Sequence, residues 1–168
     1  MPSKYIFLTV IVCLAVAFLV LAAIRVWRSR SVSQGIMLAA PLSELALQPV
    51  TTFDRVQYVS TTLTDDPLNR IHAHGMAFRG WADLAIGPQG ILLKRKGERA
   101  IAIRSDSILK VGTAQATIDR GVEAGGLVQI DWKHDSHDLS TFLRAKSGSQ
   151  KNQILSALGA NIPKEEIN

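Results

Sequence analysis

Tyr5 to Ile24, YIFLTVIVCLAVAFLVLAAI, is a run of twenty residues with no charge, no glycine and no proline. A helix of that length covers about 30 Å, the thickness of a bilayer's hydrocarbon core. Thirteen of the twenty are Leu, Ile, Val or Phe, and at about −0.3 to −0.6 kcal/mol each they favour insertion by roughly 4–8 kcal/mol. Ala15-Val16-Ala17 spells the A-x-A of a signal-peptide cleavage site. Seven more apolar residues follow it, however, where a cleavage region would end the run. Cys13 lies in the middle of the span, which argues against lipoprotein processing. The run reads as an uncleaved membrane anchor, with the lipid bilayer as the partner of residues 5–24.

The flanks set an expected orientation. Lys4 and the terminal amine precede the run, whereas Arg25, Arg28 and Arg30 follow it, with Trp27 at headgroup level. Cationic flanks stay on the cytoplasmic side. The expectation is a single-pass protein of the cell membrane, N-terminus outside and body cytoplasmic, with Arg25, Trp27, Arg28 and Arg30 as flank anchors. The same four cations explain the net charge of +5. From Ser31 onward, 15 of the 19 Lys and Arg remain against all 14 Asp and Glu. A nucleic-acid binder concentrates its basic residues on one face of the domain, so no nucleic-acid partner is expected. One cysteine excludes an intramolecular disulfide framework and a cysteine-rich metal site, and no cofactor is implied.

Residues 31–51 read as a juxtamembrane linker, because its apolar stretch is too short to span and is broken by Pro41 and Glu44. From Thr52 the texture changes to short Val-, Ile- and Thr-rich runs separated by turn residues: RVQYVSTTL, RIHAHGMAF, WADLAI, ILLKRK, RAIAIR, ILKVG, ATIDRGV, GLVQIDW and LSTFLRA. Close spacing of short strands is the mark of an antiparallel barrel or sandwich. SQKNQILSALG then predicts one helix, with Ser149 as its N-cap, Ile154, Leu155 and Leu158 as its apolar face and Gly159 as its stop. The expected fold is mainly β, a partly open barrel of about seven strands over residues 52–160, its open end covered by the C-terminal helix. An anchor with its basic flank over 1–30 and a tail over 161–168 complete the division.

Four strings, YVSTT, RIHAHGMAFRGWADL, IDRGVEAGGLVQIDW and TFLRA, resemble a family of actinobacterial single-pass membrane proteins carrying a pleckstrin-homology-like domain. The resemblance spans roughly residues 3–159, anchor included. It implies a cytoplasmic domain of seven strands and a closing helix. It carries over no functional residues.

Several constellations suggest chemistry. His72 and His74 stand two apart on an expected strand and would share one face, and His134 and His137 could in principle complete a metal site. No spacing matches a zinc pattern, so polar surface is the reading. Asp135, His137 and Ser140 are the residue types of a hydrolytic triad, but no G-x-S-x-G elbow holds the serine. Gly121–Gly126, GVEAGG, lacks the Lys-Ser/Thr ending of a phosphate loop and reads as a hairpin turn.

ILLKRKGERAIAI places Lys94, Arg95, Lys96 and Arg99 around a hairpin tip. In pleckstrin-homology domains that bind phosphoinositides, basic residues near such loops hold the phosphates, so the four are candidate contacts for anionic lipid. Glu98 sits among them, and a hairpin tip must be polar to stay soluble; a solvated tip is the preferred reading. The function expected is a non-enzymatic, membrane-tethered domain that docks a membrane-associated protein. Lipid sensing through Lys94–Arg99 is the alternative, and an accessory subunit of a membrane or transport complex is a further one.

Overall fold

The computed structural model describes residues 2–37, 48–49, 51–117, 120–121 and 126–161. Helix α1 runs Pro2–Met37, and its segment Tyr5–Val26 is long and apolar enough to cross a membrane. None of that segment is buried against the protein. A helix apolar on every side has no polar face to offer water. The helix also outruns the expected boundary at residue 30. SVSQGIM contains no proline to break the hydrogen-bond ladder, so helix already nucleated continues through it. Residues 38–47 and 50 of the expected linker lie outside the described residues.

Among the described residues nine strands and a second α-helix follow: β1 Thr51–Leu63, β2 Gly80–Gly87, β3 Gly90–Arg95, β4 Ile101–Arg104, β5 Ile108–Ala114, β6 Ala116–Thr117, β7 Arg120–Gly121, β8 Leu127–His134, β9 His137–Arg144 and α2 Gly148–Asn161. Seven of them form one antiparallel sheet in the order β4-β3-β2-β1-β9-β8-β5. β4 and β5 are its edges and do not pair with each other, so the barrel is open, as expected. β1 is the long central strand shared by both halves. Its register shifts twice, between Phe53 and Val56 and between Tyr58 and Ser60. Such bulges bend a strand and increase its twist, which lets one strand serve two differently directed halves.

Two expected strands take other forms. The described residues of ATIDRGV form the two-residue strands β6 and β7, paired with each other apart from the main sheet, while 118, 119 and 122 lie outside the described residues. The turn expected over Gly121–Gly126 falls mostly outside the described residues. RIHAHGMAF is not a strand. Arg70 makes one bridge to Thr62, after which His74 (φ +54°) and Gly75 (φ +82°) turn the chain into the left-handed region. Met76 N–H closes that turn on the Ala73 carbonyl at 3.0 Å. The alternation was nevertheless real, because Ile71 and Ala73 point into the core and Met76 joins them there.

One large cluster forms the core. It takes Val56 and Tyr58 from β1, inward residues of β2, β3, β4, β8 and β9, Ile71, Ala73 and Met76 from the β1–β2 connection, and Ile154 and Leu158 from α2. The helix is capped by Ser147 rather than Ser149: Ser147 Oγ accepts the Gln150 N–H at 3.1 Å. α2 also passes through Gly159 to Asn161, since a single glycine costs a helix only about 1 kcal/mol. At the β2–β3 turn Gly90 has φ +138°, and a Cβ there would lie 2.1 Å from the Ile103 carbonyl oxygen. Glycine alone fits.

Candidate interaction surfaces

The basic tip divides in two. Lys94, Lys96 and Arg99 are exposed, but Arg95 is buried. Its place follows from strand parity: Ile91, Leu93 and Arg95 share the inward face of β3, and Arg95 stands opposite Ala82. Arg95 Nη1 donates to the Phe78 carbonyl at 2.6 Å, and Nη2 donates to the Gly75 carbonyl. The guanidinium lies 4.4 Å from the Tyr58 ring centroid, a cation–π contact. Arg95 therefore leaves the set of candidate lipid contacts: its Nη1 and Nη2 hold backbone carbonyls. Burial lowers its pKa from the usual arginine range, partly opposed by Tyr58 and then Glu98.

Tyr58 works on the same connection. Its hydroxyl donates to the Met76 carbonyl at 3.0 Å and lies 2.9 Å from Thr61 Oγ1. Thr61 meets Thr141 at 3.0 Å, and Trp132 Nε1 donates to Thr141 at 2.9 Å. Burial pushes the Tyr58 hydroxyl up to about 12, against the lowering effects of the Thr61 hydrogen bond and the arginines. Three carbonyls of the segment 75–78 are thus claimed by two side chains of the sheet.

The connection so held enters β2 with Phe78 and Trp81 exposed, 57% and 55%, and with Arg79 exposed between them. Trp81 pairs with Gln57, and Asp83 pairs with Lys94 on the same outer face. Arg55, in the β1 bulge with φ +53°, places its guanidinium 5.5 Å from the Trp81 ring centroid. Neither aromatic was among the expected site residues. Parity carried the signal for Trp81, which alternates out of phase with the buried Ala82, Leu84 and Ile86.

A second surface lies at the other end of β1. β9 begins to pair with β1 at Gln57, so among the described residues no strand covers Thr51–Val56 on that side. α2 lies along it instead. Gln150 Nε2 donates to the Asp54 carbonyl at 3.1 Å, while its Oε1 accepts the Lys146 N–H at 2.8 Å. Beside this contact is an open groove of about 740 Å³ lined by Thr51 and Phe53 of β1 and by Ser149, Asn152, Gln153, Ser156 and Ala157 of α2. The helix residues are spaced to share one helical face, and every lining side chain is uncharged.

The remaining candidates are accounted for by local structure. His72 and His74 lie in the β1–β2 connection, while His134 and His137 face each other across the β8–β9 turn. Among the described residues no group of three or more His, Cys, Asp or Glu converges. Ser140 Oγ donates to Asp131 Oδ1 at 2.7 Å, and Gln129 Nε2 donates to the same oxygen at 2.8 Å. Ser140 and His137, three apart on one strand, point to opposite faces and form no nucleophile–base pair. Arg25 is exposed on α1; the side chains of Trp27, Arg28 and Arg30 lie outside the described residues.

The sheet order, the open edges and the closing helix agree with a family described as Bacterial PH domain-like, which matches residues 38–159. The chain belongs to this bacterial PH domain-like family. A PH-like domain is a protein-interaction or lipid-binding module, and its partners are proteins or lipids. The match begins within the segment expected to be linker. No curated protein matches the chain. One chain of a solved structure titled "The 8S snRNP Assembly Intermediate" is similar at 11% identity and a TM-score of 0.46, over 77% of this chain and 95% of that one.

Proposed function

We propose that the chain is a single-pass protein of the cell membrane whose PH-like domain, on the cytoplasmic side, docks another membrane-associated protein and catalyses no reaction. The observation that carries this reading is the groove between α2 and the start of β1. There the backbone of Thr51–Val56 extends past β9, beside a helix face of hydroxyl and amide side chains. An extended peptide can add to such an edge through main-chain hydrogen bonds, with neighbouring side chains selecting its sequence. The uncharged walls suit an uncharged, hydrogen-bonding segment. Anchoring through α1 supports the reading, because confinement to a surface raises the effective concentration of partners held there. The resemblance to single-pass actinobacterial proteins pairs anchor and domain in the same way.

Site-specific photo-cross-linking in native membranes tests it. Asn152→p-benzoylphenylalanine and Ser156→p-benzoylphenylalanine, in the full chain, are expected to give the same discrete protein adduct. Lys110→p-benzoylphenylalanine, on the exposed edge strand β5, is expected to give none. Gln153→Arg should abolish the adduct by placing a charge in the groove. No adduct at the groove, or the same adducts from Lys110, overturns the reading.

A further inference from the structure

Outside α1, the described residues leave four large apolar side chains more than half exposed: Leu68, Phe78, Trp81 and Leu109. Scattered exposed apolar residues are ordinary. Phe78 and Trp81 are neighbours in sequence. They stand three apart where the β1–β2 connection meets β2, and cations surround them. Arg79 lies between them, Arg55 stacks on Trp81 from a left-handed bulge position, Lys94 is exposed on β3, and the exposed Lys96 follows in the β3–β4 turn. Asp83 is the acidic member, opposite Lys94. The side chains inside the sheet lock this arrangement, since Arg95 holds the Phe78 carbonyl and Tyr58 holds that of Met76. Ile71, Ala73 and Met76 fill the barrel beneath. What is presented is a held face rather than a pocket.

Tryptophan beside arginine and lysine is the composition of a bilayer's headgroup zone. The chain itself supplies that surface. From Val26 the helix continues for 11 residues to Met37, about 16 Å. The 13 residues from 38 to 50 then reach at most about 45 Å. A domain on that tether stays within reach of the membrane its helix crosses. We infer that Phe78, Arg79, Trp81, Arg55, Lys94 and Lys96 form a membrane-resting face that lies on the anionic leaflet, with the two aromatic rings at headgroup level. The inference rests on reading α1 as a span.

The chain has three tryptophans, Trp27, Trp81 and Trp132, and Trp132 is buried at 2% exposure. Fluorescence in reconstituted vesicles can therefore report each position. Full-length Trp27→Phe is placed in phosphatidylcholine–phosphatidylglycerol vesicles whose lipids carry bromine at a shallow acyl position. The Trp27→Phe/Trp81→Phe variant gives the Trp132 background. Above that background, Trp81 emission is expected to roughly halve relative to unbrominated lipid, as for a ring at the interface. High salt, or Lys94→Ser with Lys96→Ser, should restore it. The Trp81→Phe variant reports Trp27, and so the span, separately. Quenched Trp27 with unquenched Trp81 overturns the inference and leaves the span standing, with the face free for a protein. Unquenched Trp27 counts against the span; the Trp81 signal still decides the face, quenching supporting it and its absence overturning it.

Discussion

The two ends of the barrel are closed by opposite chemistry. At one end α2 inserts Ile154 and Leu158, both fully buried, and the closure is apolar packing onto the sheet. At the other, the β1–β2 connection inserts Ile71, Ala73 and Met76, but its backbone is held by Tyr58 and Arg95 through three carbonyls. A helix satisfies its own backbone groups and needs only an apolar stripe to dock. An irregular segment does not. Its buried carbonyls need donors from elsewhere, or each loses the hydrogen bond that water supplied. The buried arginine is the consequence: it closes a barrel with a loop where a helix would need only leucine.

The largest effect is expected at the apolar end. Leu158→Ala should destabilise the protein by about 2–5 kcal/mol, the range for a buried leucine truncated in a core. Thermal or denaturant unfolding of the full chain in detergent measures it. A loss below about 1 kcal/mol would show that α2 does not close the barrel.

The polar end should respond less and in a pH-dependent way. Tyr58→Phe removes the donor to the Met76 carbonyl and should cost about 1–3 kcal/mol near neutral pH, with faster hydrogen exchange in the β1–β2 connection than elsewhere. The folded Tyr58 hydroxyl is pushed up to about 12 from an ordinary 10.0. Folding therefore favours its neutral form. That contribution is fully present below pH 10 and is lost as pH rises through 12, by roughly 2–3 kcal/mol. Wild type should lose its advantage over Tyr58→Phe across that window. A difference independent of pH would mean that Tyr58 ionises as freely folded as unfolded.

The smallest effect separates the exposed tip from the buried arginine beside it. Lys96→Ser and Arg99→Ser should each change stability by less than about 0.5 kcal/mol, because both side chains stand in solvent. Arg95→Ser, measured by the same unfolding assay, should cost several times more. Equal effects from all three would erase the distinction between tip and closure.

Much of this was legible beforehand. Twenty uncharged, predominantly apolar residues dictate a helix long enough to cross a membrane, since a lone segment satisfies its own backbone in lipid only as a helix. Period-two runs between turn residues dictated a strand-rich domain, and ILSALG dictated one amphipathic helix after it. Strand parity also contained Arg95's inward direction and Trp81's outward one. Residue type concealed both, because an arginine between two lysines reads as surface and a tryptophan among apolar neighbours reads as core.

Tertiary structure decided the rest, for a physical reason each time. RIHAHGMAF has the alternation of a strand, and the left-handed pair at His74 and Gly75, with the donors of Tyr58 and Arg95 on its carbonyls, made it a plug. The groove exists because β9 ends at Arg144 opposite Gln57 while β1 reaches back to Thr51, a difference in extent that shows only once the two strands are paired. Ser147 rather than Ser149 caps α2 because its hydroxyl is the one that meets the Gln150 N–H. Local composition determined which segments bury themselves and with what periodicity. Which of them meet depended on bends, registers and donors brought together from distant parts of the chain.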